Sequence, residues 1–306
     1  MKLTIVICTH NRVELLEKTI TSLNEAMNPS ALNVQILVIA NACSDTTIHF
    51  LKSYTGLSGK QLPLEFEEEP IAGKSHALNR AISMVNQGFL CFVDDDHKVD
   101  NNFLCAISEA IVSHPQIKMF CGQIIPDWTG EEPEWIHETG KYKIYPLPVP
   151  HFEMGTEPVL IEKDGKLPGG GNLIIHRDVF TKIGNFNVEL GPKGRSLAGS
   201  EDSNLVLRAL AAGETIQYLP SIIQYHYVDS ERLQLSYLIR KSYERTRTFT
   251  MEKQPQAHSI PRYLWRKLIE YIFYSCFSFN LQKSRFYLMR IASTLGEISA
   301  LRTNNF

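Results

Sequence analysis

Paired cysteines, net charge and long apolar runs are all missing from this 306-residue sequence, and each absence excludes a class of protein. The six cysteines, Cys8, Cys43, Cys91, Cys105, Cys121 and Cys276, are scattered, with no CxxC pair and no Cys/His grouping at zinc-finger spacing. They read as reduced packing residues. With 31 basic against 33 acidic residues the formal charge is only −2, which excludes a global nucleic-acid footprint. The apolar run 3–8 stops at Thr9-His10-Asn11-Arg12, too short for the core of a signal peptide, so a cytoplasmic chain is expected. No GxGxxG follows that run. Ala72-Gly73-Lys74-Ser75 is not a phosphate loop either: Glu68 stands five positions before Gly73, and the motif follows the third strand rather than the first. There is no internal repeat and no low-complexity tract.

What is present is an ordinary globular composition, 43% hydrophobic, sufficient for one large α/β domain and an appendage without disulfides or a structural metal. Residues 3–8 form a β-rich run, and 13–23 repeat apolar residues at helical spacing (Leu15, Leu16, Ile20, Leu23). The alternation continues with a strand over 34–40, a helix over 46–54, a short strand over 64–67, a helix over 74–85 and a strand over 89–93. That order predicts a mostly parallel sheet covered on both faces. A helix is expected over 101–113, an irregular Pro-, Gly- and Trp-rich stretch over 125–150, a strand over 173–176, a helix over 203–212 closed by Gly213, and a strand over 216–219. From Leu233 onward the pattern is helical.

In such sheets functional groups gather at the carboxyl ends of the strands. Three polar clusters fall there: Thr9-His10-Asn11-Arg12, the stretch 41–45, and Asp94-Asp95-Asp96. Three consecutive carboxylates at the end of a buried strand repel one another unless something neutralises them, and a divalent cation with hard oxygen ligands, Mg²⁺ or Mn²⁺, is the natural choice. A solvated turn with helix-capping aspartates is the plainer reading. Glu201-Asp202 precedes the 203–212 helix, where acidic residues favour the helix dipole, so by itself this pair reads as capping. Gly169-Gly170-Gly171-Asn172 either lets backbone approach a ligand or is a flexible turn. His226 alone reads as a core histidine.

Taken in order, these motifs resemble family 2 glycosyltransferases of the GT-A type. The resemblance runs through residues 5–12, 38–47, 73–82 and 92–96, then Gly199-Ser200-Glu201-Asp202 with Arg208 and Gly213, and finally His226, covering about 1–230. It implies a Rossmann-like α/β catalytic domain over 1–230, with a nucleotide-binding half over 1–115 and an acceptor-binding half over 116–230, followed by a helical extension over 231–306. By this resemblance Thr9, Asn11, Arg12, Asn41 and Asp45 cradle base and ribose, Asp94 with Asp95 reaches the ribose, and Lys74 or Arg80 assists the phosphates. Gly171 and Asn172 line the same donor site, Asp96 holds the metal, and His226 completes its coordination. Asp202 is the expected general base, oriented by Glu201. The family commonly has Asp where this chain has Ala40, and that Asp often contacts the base; a UDP-sugar is expected on family frequency.

The implied activity is inverting transfer of a sugar, of hexosyltransferase type, from a nucleotide-diphosphate sugar to a glycan or lipid-linked acceptor in polysaccharide or glycoconjugate synthesis. Two rivals are a sugar-nucleotide pyrophosphorylase and a catalytically silent nucleotide- or glycan-binding module. The first is disfavoured because Thr9-His10-Asn11-Arg12 stands where that class carries a glycine-rich loop. Between Arg232 and Arg302 stand 13 Lys/Arg against 4 Asp/Glu, a local charge of +9 that leaves −11 elsewhere. Within that tail 263–279 is apolar and aromatic around most of its circumference but holds well under the ~20 apolar residues of a membrane span, so two readings stand level, the first being that it rests on the inner face of the cell membrane. Packing on the catalytic domain or against a second copy in a homodimer is the alternative.

Overall fold

A computed structural model describes residues 1–54, 62–191, 201–253 and 259–303. The first half alternates as expected: β1 (Lys2–Thr9), α1 (Val13–Glu25), β2 (Asn33–Asn41), α2 (Thr47–Tyr54), β3 (Leu64–Glu69), α3 (Lys74–Met84) and β4 (Phe89–Phe92). Then come β5 (His97–Val99), α4 (Phe103–Ser113), β6 (Met119–Asp127), β7 (Val159–Leu160), β8 (Leu173–His176), α5 (Arg177–Ile183), α6 (Glu201–Ala211) and β9 (Ile216–Tyr227). Three helices close the chain: α7 (Leu235–Lys253), α8 (Arg262–Cys276) and α9 (Leu281–Thr303). The described residues fall into two compact units. One comprises 1–126, 150–191 and 201–227; the other comprises 127–149 and 228–303.

The first unit carries a sheet in the order β3-β2-β1-β4-β8-β6-β9-β5, with β7 paired to β9. The β3-β2-β1-β4 run is parallel. Beyond it β4 pairs β8, β8 pairs β6 and β9 pairs β5, all antiparallel. Strands β1 and β2 are near-continuously apolar because both of their faces are covered. Leu3, Ile5, Ile7, Ile36 and Val38 join Leu16, Ile20 and Leu23 of α1 and Phe103 and Ile107 of α4 in one cluster. Val6, Leu37 and Ile39 point the other way, onto Ala77, Leu78 and Ile82 of α3 and Leu205 and Val206 of α6. Each fully buried Leu or Ile contributes about 1.5–3 kcal/mol, so a charge at Ile5 or Ile36 would disrupt this core.

Strands β6, β9 and β5, the last in a stretch where no element was expected, depart from the sequence pattern. Strand β6 runs through the beginning of the stretch expected to be irregular. Strand β9, expected to stop at Leu219 before Pro220, continues to Tyr227. Its far end is held by β5 in the register His97↔His226, Lys98↔Tyr225 and Val99↔Gln224. Gly122 of β6 explains a close approach in this half, because a Cβ there would strike the carbonyl oxygen of Ile222 in β9.

In the second unit α7 and α8 both pack on α9. A Cβ at Gly296 of α9 would strike the Tyr243 carbonyl oxygen of α7, and Ser242 Oγ donates to Met289 O at 2.9 Å. The segment 127–149 joins these helices: Ile136 and Ile144 cluster with Leu238 and Met289, and Arg285 pairs with Glu138 at 2.7 Å.

Candidate active site

The expected clusters lie at the carboxyl ends of β1, β2 and β4, and hydrogen bonds knit their loops together. Asn11 adopts φ 54°, a left-handed conformation Asn tolerates, and its Oδ1 accepts from Ser44 N (2.7 Å) and Asp45 N (3.2 Å). His10 Nδ1 donates to Asn41 O at 2.7 Å. The Asn41 amide donates to Glu69 O and Ile71 O, while its Oδ1 accepts from Gly73 N at 2.8 Å. Asp45 Oδ1 accepts from Thr47 N at 3.0 Å, at the start of α2. Ala42 holds φ 47°, which is strained for a residue with a Cβ. Thus the side chains of Asn11, Asn41 and Asp45 are engaged in building the loops. Thr9 is buried at the end of β1, and Ala40 is packed in the apolar core.

The three aspartates diverge. Asp94 Oδ1 accepts from Lys74 Nζ at 2.6 Å. Burial opposes its ionisation, but the charge of Lys74 outweighs that and holds its carboxyl well below the usual range. Asp95 and Asp96 share the guanidinium of Arg12, at 3.1 and 3.2 Å. Burial and the neighbouring Asp96 charge push Asp95 up to about 6. Asp96 stays low because the nearby histidines, His226 foremost, outweigh its burial. The protein's own cations therefore take part of the neutralising role expected of a metal. Arg80, six residues beyond Lys74 on α3, is exposed and turned to Glu67 at 2.7 Å; the structure does not pair it with the aspartates.

Glu201 and Asp202 open α6, as capping logic allows, yet Glu201 is only 3% exposed. Burial and the adjacent Asp202 charge push Glu201 up to about 7; Asp202 is raised too, by burial against the pull of Lys74. Lys74 feels Asp94, Asp202 and Glu201 together, and their charge overcomes burial to hold its ammonium well above the usual lysine range. The glycine turn lies against the same carboxylates. A Cβ at Gly170 would strike Asp202 Oδ1; one at Gly171 would come within 2.6 Å of Asp94 Oδ2 and 2.8 Å of His97 Cε1. Asn172 anchors this turn by donating to Gln123 O at 2.6 Å. Gly199 and Ser200 of the acidic motif lie outside the described residues.

Asp96, His97 and His226 each offer one ligand atom, all within 4.8 Å of one another and all buried. His226 Nδ1 donates to Tyr227 O at 2.6 Å, turning Nε2 to within 3.6 Å of Asp96 Oδ2. A carboxylate with two imidazoles is a donor set that fits a divalent cation. His97 escaped the sequence reading, although a histidine directly after a carboxylate run was a usable signal.

A sheet that is parallel in its first half, antiparallel beyond it and flanked by helices matches the GT-A fold of solved glycosyltransferases. The chain belongs to glycosyl transferase family 2, whose sequence pattern matches residues 4–184. That match stops before Glu201, Asp202 and His226. Among curated relatives, the glucosyl-dolichyl phosphate glucuronosyltransferase of Haloferax volcanii is 20% identical over 247 residues, covering 79% of this chain and 74% of that protein. The succinoglycan biosynthesis protein ExoM of Rhizobium meliloti is 22% identical over 262 residues, 85% and 77% of the two chains. Among solved structures, a mannosyltransferase from Pyrobaculum calidifontis in complex with GDP-Man and Mn²⁺ matches with TM-score 0.60 and 15% identity, over 99% of this chain and 86% of that one. TarS 1–349 of S. aureus in complex with UDP-GlcNAc matches with TM-score 0.56 and 16% identity, over 99% and 91%; of a longer TarS chain 55% is covered.

Proposed function

We propose that this glycosyltransferase moves a sugar, with inversion, from a nucleotide-diphosphate donor to a hydroxyl of a glycan or lipid-linked acceptor in polysaccharide or glycoconjugate synthesis. A UDP-sugar is the first donor to test. The observation that carries this reading is the back-to-back placement of Asp202 and Asp94 on the adjacent glycines Gly170 and Gly171, with Lys74 responding to both. The relatives' names, which speak of glucuronosyl transfer to a dolichyl phosphate glucoside and of succinoglycan synthesis, support the acceptor class.

In this reading Asp202 accepts the proton of the acceptor hydroxyl as its oxygen attacks the anomeric carbon. The bond from that carbon to the donor phosphate oxygen breaks on the opposite face, its electrons leaving with the diphosphate. One displacement inverts the centre. Glu201, itself pushed up to about 7, hydrogen-bonds Asp202, which favours the ionised form of Asp202 and orients it as the base. Asp96 and His226 would hold Mg²⁺ or Mn²⁺, which when bound would offset the negative charge of the leaving diphosphate. Lys74, paired with Asp94, steadies that carboxylate, and Arg12 keeps Asp95 and Asp96 in position; in this reading Asp94 reaches the ribose and Lys74 assists the phosphates. The loops carrying Thr9, Asn11 and 41–45 frame the base, and the Gly171-Asn172 turn lets the donor approach backbone closely.

The helical unit adds a surface of its own. Trp265, Ile269, Ile272 and Phe273 recur at i, i+4, i+7 and i+8 on α8 and are exposed, as are Phe277 and Phe279 just beyond. Among the described residues no helix is long and apolar enough to cross a membrane. The proposal is that this stripe lies in an anionic membrane interface, where each nearby Lys or Arg gains about 1 kcal/mol.

A thermal-shift screen of UDP-, GDP- and dTDP-sugars, with and without Mn²⁺, tests the donor. A Tm rise that needs both a nucleotide sugar and the ion is expected, and no rise with any of them overturns the reading.

A further inference from the structure

His97 is buried with its side chain wholly shielded, and its two ring nitrogens have different fates. Nδ1 meets Gln224 Oε1 at 2.6 Å, and Gln224 Nε2 donates to the carbonyl oxygen of Phe92 at 3.4 Å. A carbonyl only accepts, so Phe92 fixes which end of the Gln224 amide faces it. The amide oxygen is then left facing His97, and Nδ1 must be the protonated nitrogen. In the neutral ring Nε2 consequently carries a lone pair. Among the described residues that lone pair has no hydrogen-bond partner: Asp94 Oδ2, at 3.9 Å, is beyond hydrogen-bond reach. A buried polar atom left this way is costly unless a ligand satisfies it.

The sheet explains the arrangement. His97 lies directly opposite His226 in the antiparallel β5–β9 pair, with ring centroids 4.9 Å apart, and Gln224 is two residues before His226 on the same face of β9. Strand pairing thus delivers one imidazole as a ligand, a second beside it, and the amide that sets the second one's tautomer.

We propose that His97, through Nε2, is a third protein ligand of the cation held by Asp96 and His226, and that Gln224 is its positioning residue. The site then presents two imidazoles and one carboxylate, which favours a first-row transition ion, Co²⁺ more than Mn²⁺, over Mg²⁺, whose preference is for oxygen. This rests on the reading of the site as metal-assisted and deepens it, assigning both a ligand and a metal class.

The test uses the full chain and metals alone. Mn²⁺ affinity is measured by electron paramagnetic resonance, Mg²⁺ affinity by competition, and the Co²⁺ complex by its visible absorption, for the native chain and for His97→Gln, His97→Ala and Gln224→Leu. Native protein is expected to bind Mn²⁺ at least tenfold tighter than Mg²⁺. His97→Ala should weaken Mn²⁺ more than tenfold and change the cobalt bands while affecting Mg²⁺ little, and Gln224→Leu should weaken Mn²⁺ about 10–100-fold. Should the alanine variant fail to fold, the glutamine variant and the native cobalt spectrum, read for two nitrogen ligands, carry the decision. An unchanged Mn²⁺ affinity and unchanged cobalt bands in the His97 variants overturn this inference alone, because native Mn²⁺ binding still supports the proposed function. Native protein that binds no divalent ion on its own overturns this inference, while the proposed function stands or falls with the donor screen.

Discussion

The ammonium of Lys74 lies 2.6 Å from Asp94 Oδ1, and the same ammonium answers to the charges of Asp202 and Glu201. One cation at the first turn of α3 therefore balances carboxylates contributed by two distant parts of the chain. Lys74→Met removes that balance. The expected outcome is a 10²-fold or greater loss of transfer, with the acid limb of the kcat/KM pH profile moved upward because Asp202 and Glu201 no longer feel a positive neighbour. Lys74→Arg should retain the acid limb near its native position. Steady-state kinetics across pH for the two variants checks this.

Asp202→Asn keeps shape and burial but cannot take a proton. Donor binding, measured by calorimetry with a nucleotide sugar and Mn²⁺, is expected to stay within about threefold of native, while transfer falls by roughly 10²–10⁴. Strong donor binding lost with the substitution would instead mean that Asp202 holds the donor. Transfer at native rates would remove it from the mechanism.

Glu201 gives a pH dependence of stability whose sign follows from its surroundings. Its folded-state value, about 7, stands above its ordinary 4.5 because burial and the Asp202 charge disfavour the ionised form. The associated stability is fully present below about 4.5 and is lost as pH rises through 7. Asp95, pushed up to about 6, acts in the same direction. Glu201→Gln should therefore melt near native at pH 5 and above native at pH 8, a difference of about 3 kcal/mol at most. Equal melting differences at both pH values would contradict the assignment.

The exposed stripe on α8 predicts reversible attachment to anionic liposomes. In flotation, the native chain should rise with vesicles containing phosphatidylglycerol and remain below with neutral ones. The double variant Phe273→Ser, Phe277→Ser should lose flotation without losing transfer to a soluble acceptor. Flotation that survives the double variant would exclude this stripe as the contact.

Much of the fold is legible without coordinates. The alternation through β4 is written in local periodicity, because a strand buried on both faces must be apolar throughout and a helix packed on it must repeat apolar residues near every third or fourth position. The three polar clusters are legible for the same reason, since each directly follows an apolar strand. The far half of the sheet is less so. Pro220 reads as a strand end, yet β9 continues because β5 pairs with its last residues, and short antiparallel strands leave almost no local signal.

The sequence by itself determined that carboxylates would stand at the ends of parallel strands, and that Asp94-Asp95-Asp96 needed positive charge. Only the tertiary structure decided how that charge is apportioned, Lys74 to Asp94 and Arg12 to Asp95 and Asp96, and that two imidazoles stand beside Asp96. His97 and Gln224 are 127 residues apart, and what joins them is a strand register. Periodicity reports which face of its own element a residue occupies, whereas the partner on that face is chosen by chain segments far away in sequence.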